Sequence, residues 1–232
     1  MSMRITGISS MATRQVLAEL LAAYERRTGL QVAIESVGGV AAARRVEDGE
    51  PFDIVVLAAD AIDRLAAAGH VDPDSRVDLA RSGVAVAVPA GAVQPDIGTE
   101  AAVRNAVLAA QSIGYSTGPS GTHLTRLFER WGIAATIAPH IVQAPPGVPV
   151  GTLIARGEVE LGFQQSSELM HLGGIDVIGV LPPEIQVTTI FSAAICTIGT
   201  ASAQREAARA LLAFLASPDA DSSKRANGME PA

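Results

Sequence analysis

Strand and helix patterns alternate almost from the first residue of this chain, and that alternation constrains the fold more than any single motif. Residues 3–9 read as a strand and 13–27 as a helix with Val16, Leu17, Leu20, Leu21 and Tyr24 on one face. Gly29 stands at that helix's C-cap position. Strand 32–37, helix 40–47, strand 52–57 and helix 60–68 continue the series. This order predicts parallel pairing with right-handed crossovers. A polar connection, 72–78, leads to the apolar, β-branched run 83–89. A second series follows: helix 101–110, strand 112–115, helix 121–131, strand 141–143, helix 150–155 and strand 161–164. Apolar runs 175–181 and 186–197, helix 203–216 and a short helix beginning near Asp219 complete the chain. The expected architecture is α/β: two doubly wound lobes joined by two crossing strands, 83–88 and 188–196, with a cleft between the lobes. Residues 1–80 plus 195–232 are assigned to lobe 1 and 81–194 to lobe 2.

The strand-to-helix turns carry the functional signal. They read Ser9-Ser10-Met11-Ala12-Thr13, Val37-Gly38-Gly39-Val40, Ser116-Thr117-Gly118-Pro119-Ser120-Gly121-Thr122 and Val148-Pro149-Val150-Gly151-Thr152. N–H groups at a helix start carry partial positive charge, and glycine or serine lets an anion approach them closely. Ligands of open α/β sheets bind at the carboxyl ends of the strands. Any one of these turns could be an ordinary N-cap. Four at matching positions point to a small-anion site that needs few charged side chains.

Composition removes several alternatives. Net charge is −7 and the seventeen cations are scattered, with Lys224 the only lysine, so no basic stripe exists for nucleic acid. Aromatics make up only 3 %, which leaves little to stack on bases. Cys196 is alone, so neither a disulfide framework nor a cysteine metal site can form within the chain. No uninterrupted apolar run of about 18 residues predicts a membrane span. Residues 1–10 lack the basic and apolar regions of a secretory leader. The chain as written is therefore expected in the cytoplasm, with the periplasm the alternative if a leader has been removed. A monomer is expected, without a cofactor.

Other chemistries fit less well. Gly114-Tyr115-Ser116-Thr117-Gly118 matches a nucleophile elbow, but no aspartate separates Ser116 from His171, the last histidine. Glu168 is three residues from His171, so one helix would have to supply both triad partners. The glycines at 114, 118 and 121 are followed by Thr122-His123 without a phosphate-loop lysine. His70, His123, His140 and His171 show no metal-ligand spacing. His123, in the first turn of a helix beside the proposed anion, is the one candidate for moving a proton. Glu168 lies beyond the Gln165 turn and is expected to face away. Arg44 is expected in a structural ion pair.

Further stretches carry a family resemblance: 5–28, the run Gly39 to Gly49, Phe52-Asp53-Ile54-Val55-Val56, Gly118-Pro119-Ser120-Gly121, and 155–163 from Ala155-Arg156-Gly157 to Leu161-Gly162-Phe163. In order and spacing they resemble the type II periplasmic solute-binding proteins, specifically the molybdate-binding branch, along nearly the whole chain. The resemblance implies the periplasmic-binding-protein-like II fold, closure around one anion, and an ABC transporter permease as partner. It implies ligand contacts at Ser10 and Gly39 in lobe 1, and at Ser120, Val148 to Val150 and Gln165 in lobe 2. Ser9, Ser116 and Gly121 join them from the turn pattern. Gly39 stands where the molybdate binders usually place serine, and Gln165 where they place tyrosine, which makes a small carboxylate as admissible as a tetrahedral oxyanion. An aconitate isomerase is known on the same fold, so a second reading is an isomerase of a small unsaturated polycarboxylate using the same residues. Binding is placed ahead of catalysis.

Overall fold

A computed structural model describes residues 4–198 and 202–232. The expected strand start at Met3 lies outside the described residues. In chain order come β1 (Arg4–Ser10), a 3-10 turn (Met11–Thr13), α1 (Arg14–Thr28), β2 (Gln31–Val37), α2 (Gly39–Glu47), β3 (Ile54–Ala58), α3 (Ala59–Ala67), a 3-10 turn (Pro73–Ser75) and β4 (Val77–Pro89). Next are α4 (Glu100–Ala109), β5 (Ile113–Tyr115), α5 (Pro119–Arg130), α6 (Ala134–Ile137), a 3-10 turn (Ala138–His140), β6 (Ile141–Gln143), α7 (Val150–Ala155), β7 (Leu161–Gln165) and α8 (Ser166–Leu169). The chain ends with β8 (Ile175–Val180), β9 (Thr188–Ile195), α9 (Ser202–Ala216), a 3-10 turn (Pro218–Ala220), α10 (Asp221–Ala226) and β10 (Glu230–Pro231). Two compact units emerge, one of residues 1–82 with 189–232 and the other of 83–188.

In the first unit β1 is flanked by β2 and β3, all parallel, and β9 returns antiparallel on β3. Period-two alternation sends side chains to opposite faces of this sheet. Ile5, Ile54, Val56, Phe191 and Ile195 meet α1 and α9 on one face. Ile8, Val55, Leu57, Ala194 and Cys196 meet α2 and α3 on the other. Every residue of β3 is buried, as a strand covered on both sides requires. Helix α1 ends as its sequence signals: Gly29 takes φ 72° and its N–H donates to Glu25 O at 2.8 Å.

In the second unit β5 pairs parallel with β6 and β7, and β4 runs antiparallel to β7 and β8. Val84, Val86 and Val88 pack with Ile113, Leu161 and Phe163 under α4 and α5. Ala85, Ala87 and Val159 pack with Val150, Leu153 and Ile154 of α7 on the opposite face.

The structure corrects one sequence expectation here. Residues 77 and 78, read as the end of a polar connection, belong to β4. The polar pattern arises because Asp78 and Arg81 stand exposed on this stretch while Leu79, Ala80 and Ser82 are buried. Asp78 is held there by Ser192, whose hydroxyl donates to Oδ1 at 2.6 Å, and β10 pairs across Ala80 and Arg81. Among the described residues no helix is long and apolar enough to cross a membrane.

Candidate functional site

In the first unit the parallel strands deliver two turns to one edge of the sheet. Ser9, fully buried, has its Oγ 2.8 Å from Ser36 Oγ, the residue opposite it on β2. Ser9 is thus spent on joining β1 to β2. Ser10 differs. It precedes the 3-10 turn as its N-cap but makes no side-chain cap bond. Its Oγ is buried and has no hydrogen-bond partner among the described residues. Its carbonyl is taken by Thr13 Oγ1 at 3.1 Å. A buried hydroxyl left unpaired is costly, so Ser10 stands out as a donor awaiting an acceptor.

Gly39, the first residue of α2, lies beside it. A Cβ built on Gly39 would sit 3.7 Å from Ser10 Cβ and 4.0 Å from Leu57 Cδ2, both ordinary contacts, so the place could accept a serine without a clash. The first intrahelical bond of α2 runs from Ala42 N to Gly38 O, which leaves the N–H groups of Gly39, Val40 and Ala41 as first-turn donors. No charged side chain caps this start. The basic residues of α2 are used elsewhere: Arg44 meets Asp48 at 3.7 Å on the surface, and Arg45 bridges Glu35 at 2.8 Å and Glu50.

In the second unit β5, β6 and β7 are parallel, so the turns after them share one sheet edge. After β5, Ser116 Oγ lies 3.3 Å from Ser120 Oγ and accepts from Gly118 N at 3.3 Å. Pro119 opens α5 at its first turn, where a missing N–H does no harm. Gly121 is compulsory: a Cβ there would lie 1.6 Å from Ser116 O. The closeness folds the Ser116 turn tightly onto the helix start, leaving Ser120 1 % exposed.

The turn after β6 uses its amides internally. Val148 N donates to Pro145 O at 3.0 Å, and Val150 N to the Gln164 side-chain carbonyl at 2.7 Å. Both backbone donors that the sequence singled out in this loop are therefore already engaged. Gln165, buried at the end of β7, precedes α8 as its N-cap.

Two proton-handling expectations change as well. His123 is half-buried, with Nε2 2.7 Å from Ile185 O, so that ring nitrogen is held by backbone and not offered to an anion. Glu168 does not face away. Its Oε1 accepts from Gln164 Nε2 at 2.7 Å, turning it back onto β7. Burial pushes the Glu168 carboxyl up to about 7, against a smaller lowering by the Gln164 bond. The sequence carried a usable signal: in Leu161-Gly162-Phe163-Gln164-Gln165, period two puts Gln164 on the Gly162 face, toward α7. Ser167, beside Glu168, also buries an Oγ with no partner among the described residues. No group of three or more histidine, cysteine, aspartate or glutamate side chains among the described residues could hold a metal ion. Cys196 is buried and its thiol is pushed up to about 12, by desolvation first and the Asp53 charge second.

Comparison with known proteins accords with this arrangement. The family described as "Bacterial extracellular solute-binding protein" matches residues 5–230. An aconitate isomerase from Pseudomonas sp is 40% identical over 233 residues, covering 98% of this chain and 87% of the relative. The periplasmic molybdate-binding protein of Azotobacter vinelandii superposes with a TM-score of 0.80 at 18% identity, covering 97% of this chain and 98% of that one. A sulfate-binding protein of Mycobacterium tuberculosis gives 0.72 at 17% identity, covering 99% and 87%. The last two speak for the fold, which is that of periplasmic binding proteins; the family match and the isomerase speak for kinship. The chain belongs to the bacterial extracellular solute-binding protein family.

Proposed function

We propose that this solute-binding protein takes a small polycarboxylate of the aconitate type, held at its helix-start turns. One observation carries the reading: the Ser10 hydroxyl, buried and without a partner among the described residues, beside Gly39, where a side chain would fit without a clash but none is present, and the first-turn amides of α2. Such a group favours an acceptor-rich, negatively charged ligand. Ser116, Ser120 and Gly121 form a second small-residue turn of the same kind. The 40% identical aconitate isomerase supports a carboxylate over a tetrahedral oxyanion. With the reading go a monomeric state and an ABC transporter permease as partner, which sedimentation and co-purification test.

Thermal-shift measurements with cis- and trans-aconitate, citrate, molybdate, sulfate and phosphate test the ligand class. A ligand at a hundred times its Kd stabilises by about 2.7 kcal/mol, a readily measured rise in Tm. Aconitate is expected to raise it. A rise only with neutral sugars or amino acids would sink the anion reading.

A second reading, isomerisation of the bound carboxylate, is favoured by Glu168, whose desolvated carboxyl titrates near neutrality as a general base must.

A further inference from the structure

We propose that Glu168 is the proton-transfer group of an isomerase acting on a small unsaturated polycarboxylate, removing a proton from one carbon and returning it to the carbon two bonds away. The proposal rests on the polycarboxylate reading above.

Placement comes first. Tyr115 of β5 is in register with Phe163 of β7, so Ser116, one residue on, is level with Gln164. The Gln164–Glu168 pair therefore sits at the sheet edge that carries the Ser116–Ser120 turn. It belongs to the same unit and to the strand ends where α/β ligands gather.

The hydrogen bonds then fix where the proton goes. Gln164 is buried and its carbonyl oxygen accepts from Val150 N at 2.7 Å. That settles the amide's orientation, so its NH2 faces Glu168 and donates to Oε1 at 2.7 Å. Oε1 is thereby reserved as an acceptor. A proton on this carboxyl must reside on Oε2, which has no partner among the described residues. One oxygen is anchored and the other is free to collect and deliver a proton. Of the elements packed on α8, β7 and α7 contain no ionisable residue, and β4, which meets α8 through the Ser166 hydroxyl at Gly83 O and through Leu169, carries Asp78 and Arg81, both exposed. Arg156 and Glu158 lie beyond the far end of α7 and His171 beyond α8, all three exposed. Desolvation without a nearby cation holds the carboxyl near 7, where it can both take and give a proton.

For aconitate the step balances without any co-reactant. Oε2 of ionised Glu168 takes a proton from the CH2 carbon; that C–H bond breaks and its electron pair spreads over the allyl system into the carboxylates. The proton returns from Oε2 to the former vinyl carbon, forming one C–H bond as the double bond moves one place. Nothing is oxidised or reduced. First-turn amides and serine hydroxyls would stabilise the charge that develops.

The test follows the proton NMR spectrum of cis-aconitate with the protein in heavy water, beside aconitate-induced shifts in Tm. Wild type is expected to interconvert the isomers and incorporate deuterium, with the rate rising through pH 7 as the carboxylate forms. Glu168→Gln should lose roughly a hundredfold or more in rate while keeping its aconitate-induced Tm shift. Exchange within a few-fold of wild type in Glu168→Gln overturns the proposal. So does wild type that binds aconitate without exchange, or a folded Glu168→Gln that no longer binds it, which would make Glu168 an anion contact. If Glu168→Gln fails to fold, Glu168→Asp keeps the charge one methylene short and should lose about tenfold or more; an unchanged rate there also overturns it. Wild type with no aconitate-induced shift at all refutes the polycarboxylate reading itself, a separate outcome.

Discussion

Replacing Glu168 with glutamine should stabilise the protein in mildly alkaline solution relative to its effect in acid. The carboxyl ordinarily titrates at 4.5 and here is pushed up to about 7 by desolvation. Between those pH values the folded chain holds a proton that the unfolded chain has released. Stability contributed by this group is therefore greatest below 4.5, falls as pH rises toward 7, and is flat above it. At about 1.36 kcal/mol per pH unit the loss comes to roughly 3 kcal/mol. Glutamine cannot ionise, and it keeps an oxygen to accept from Gln164, so the variant escapes this loss. Urea denaturation of both proteins at pH 4 and pH 8.5 gives the double difference, in which every other titrating group cancels. Any fixed cost of the glutamine cancels too. The expected value is about 3 kcal/mol in favour of the variant at pH 8.5. A difference that is the same at both pH values would refute the desolvation of Glu168, and with it the electrostatic support for its chemical role.

Gly121→Ala should cost at least about 3 kcal/mol by urea denaturation, because its Cβ would land 1.6 Å from a backbone oxygen that cannot swing aside. Aconitate-induced stabilisation should fall with it. Arg205→Ala should cost about 1 kcal/mol at pH 7, since Arg205 donates to Asp72 at 2.8 Å and is the first of the groups, with Asp74 N–H and Arg209, that hold that carboxyl below its ordinary 3.8. The contribution is present above pH 3.8 and disappears as pH falls through the lowered value, so the two proteins should converge in acid; a cost independent of pH would contradict the ion pair.

The fold was readable because long elements repeat their pattern. Helix α1 shows its buried stripe from Val16 to Tyr24 and its terminating Gly29. Likewise β3 reads as an unbroken apolar run because both its faces are covered. Elements with few residues left no such trace: α6 and α8 are four residues each, too short for a 3.6-residue period to show. Helix α5 begins at Pro119 rather than at 121, a start its proline signals more strongly than its apolar residues do. The turns were legible as small and hydroxyl-bearing, but which donors remain free was not. Ser9 and Ser10 are neighbours of the same type, yet Ser36 on an adjacent strand satisfies one and nothing described satisfies the other. Val150 N is silenced by Gln164, fourteen residues away. Such assignments depend on cross-strand register and helix placement, which local periodicity does not contain. Glu168 was misjudged for the same reason.

Calorimetric titration of cis-aconitate into wild type and into Ser10→Ala tests anion binding at the Ser10 turn most directly. Removing the hydroxyl takes away a buried group that has no partner among the described residues, so without added ligand the variant should melt at or slightly above the wild-type temperature. It should nevertheless bind aconitate about tenfold or more weakly, the loss of one hydrogen bond to a charged acceptor. Equal affinity in both proteins would remove Ser10 from the site, and a wild type that takes up a neutral solute but no anion would contradict the functional reading altogether.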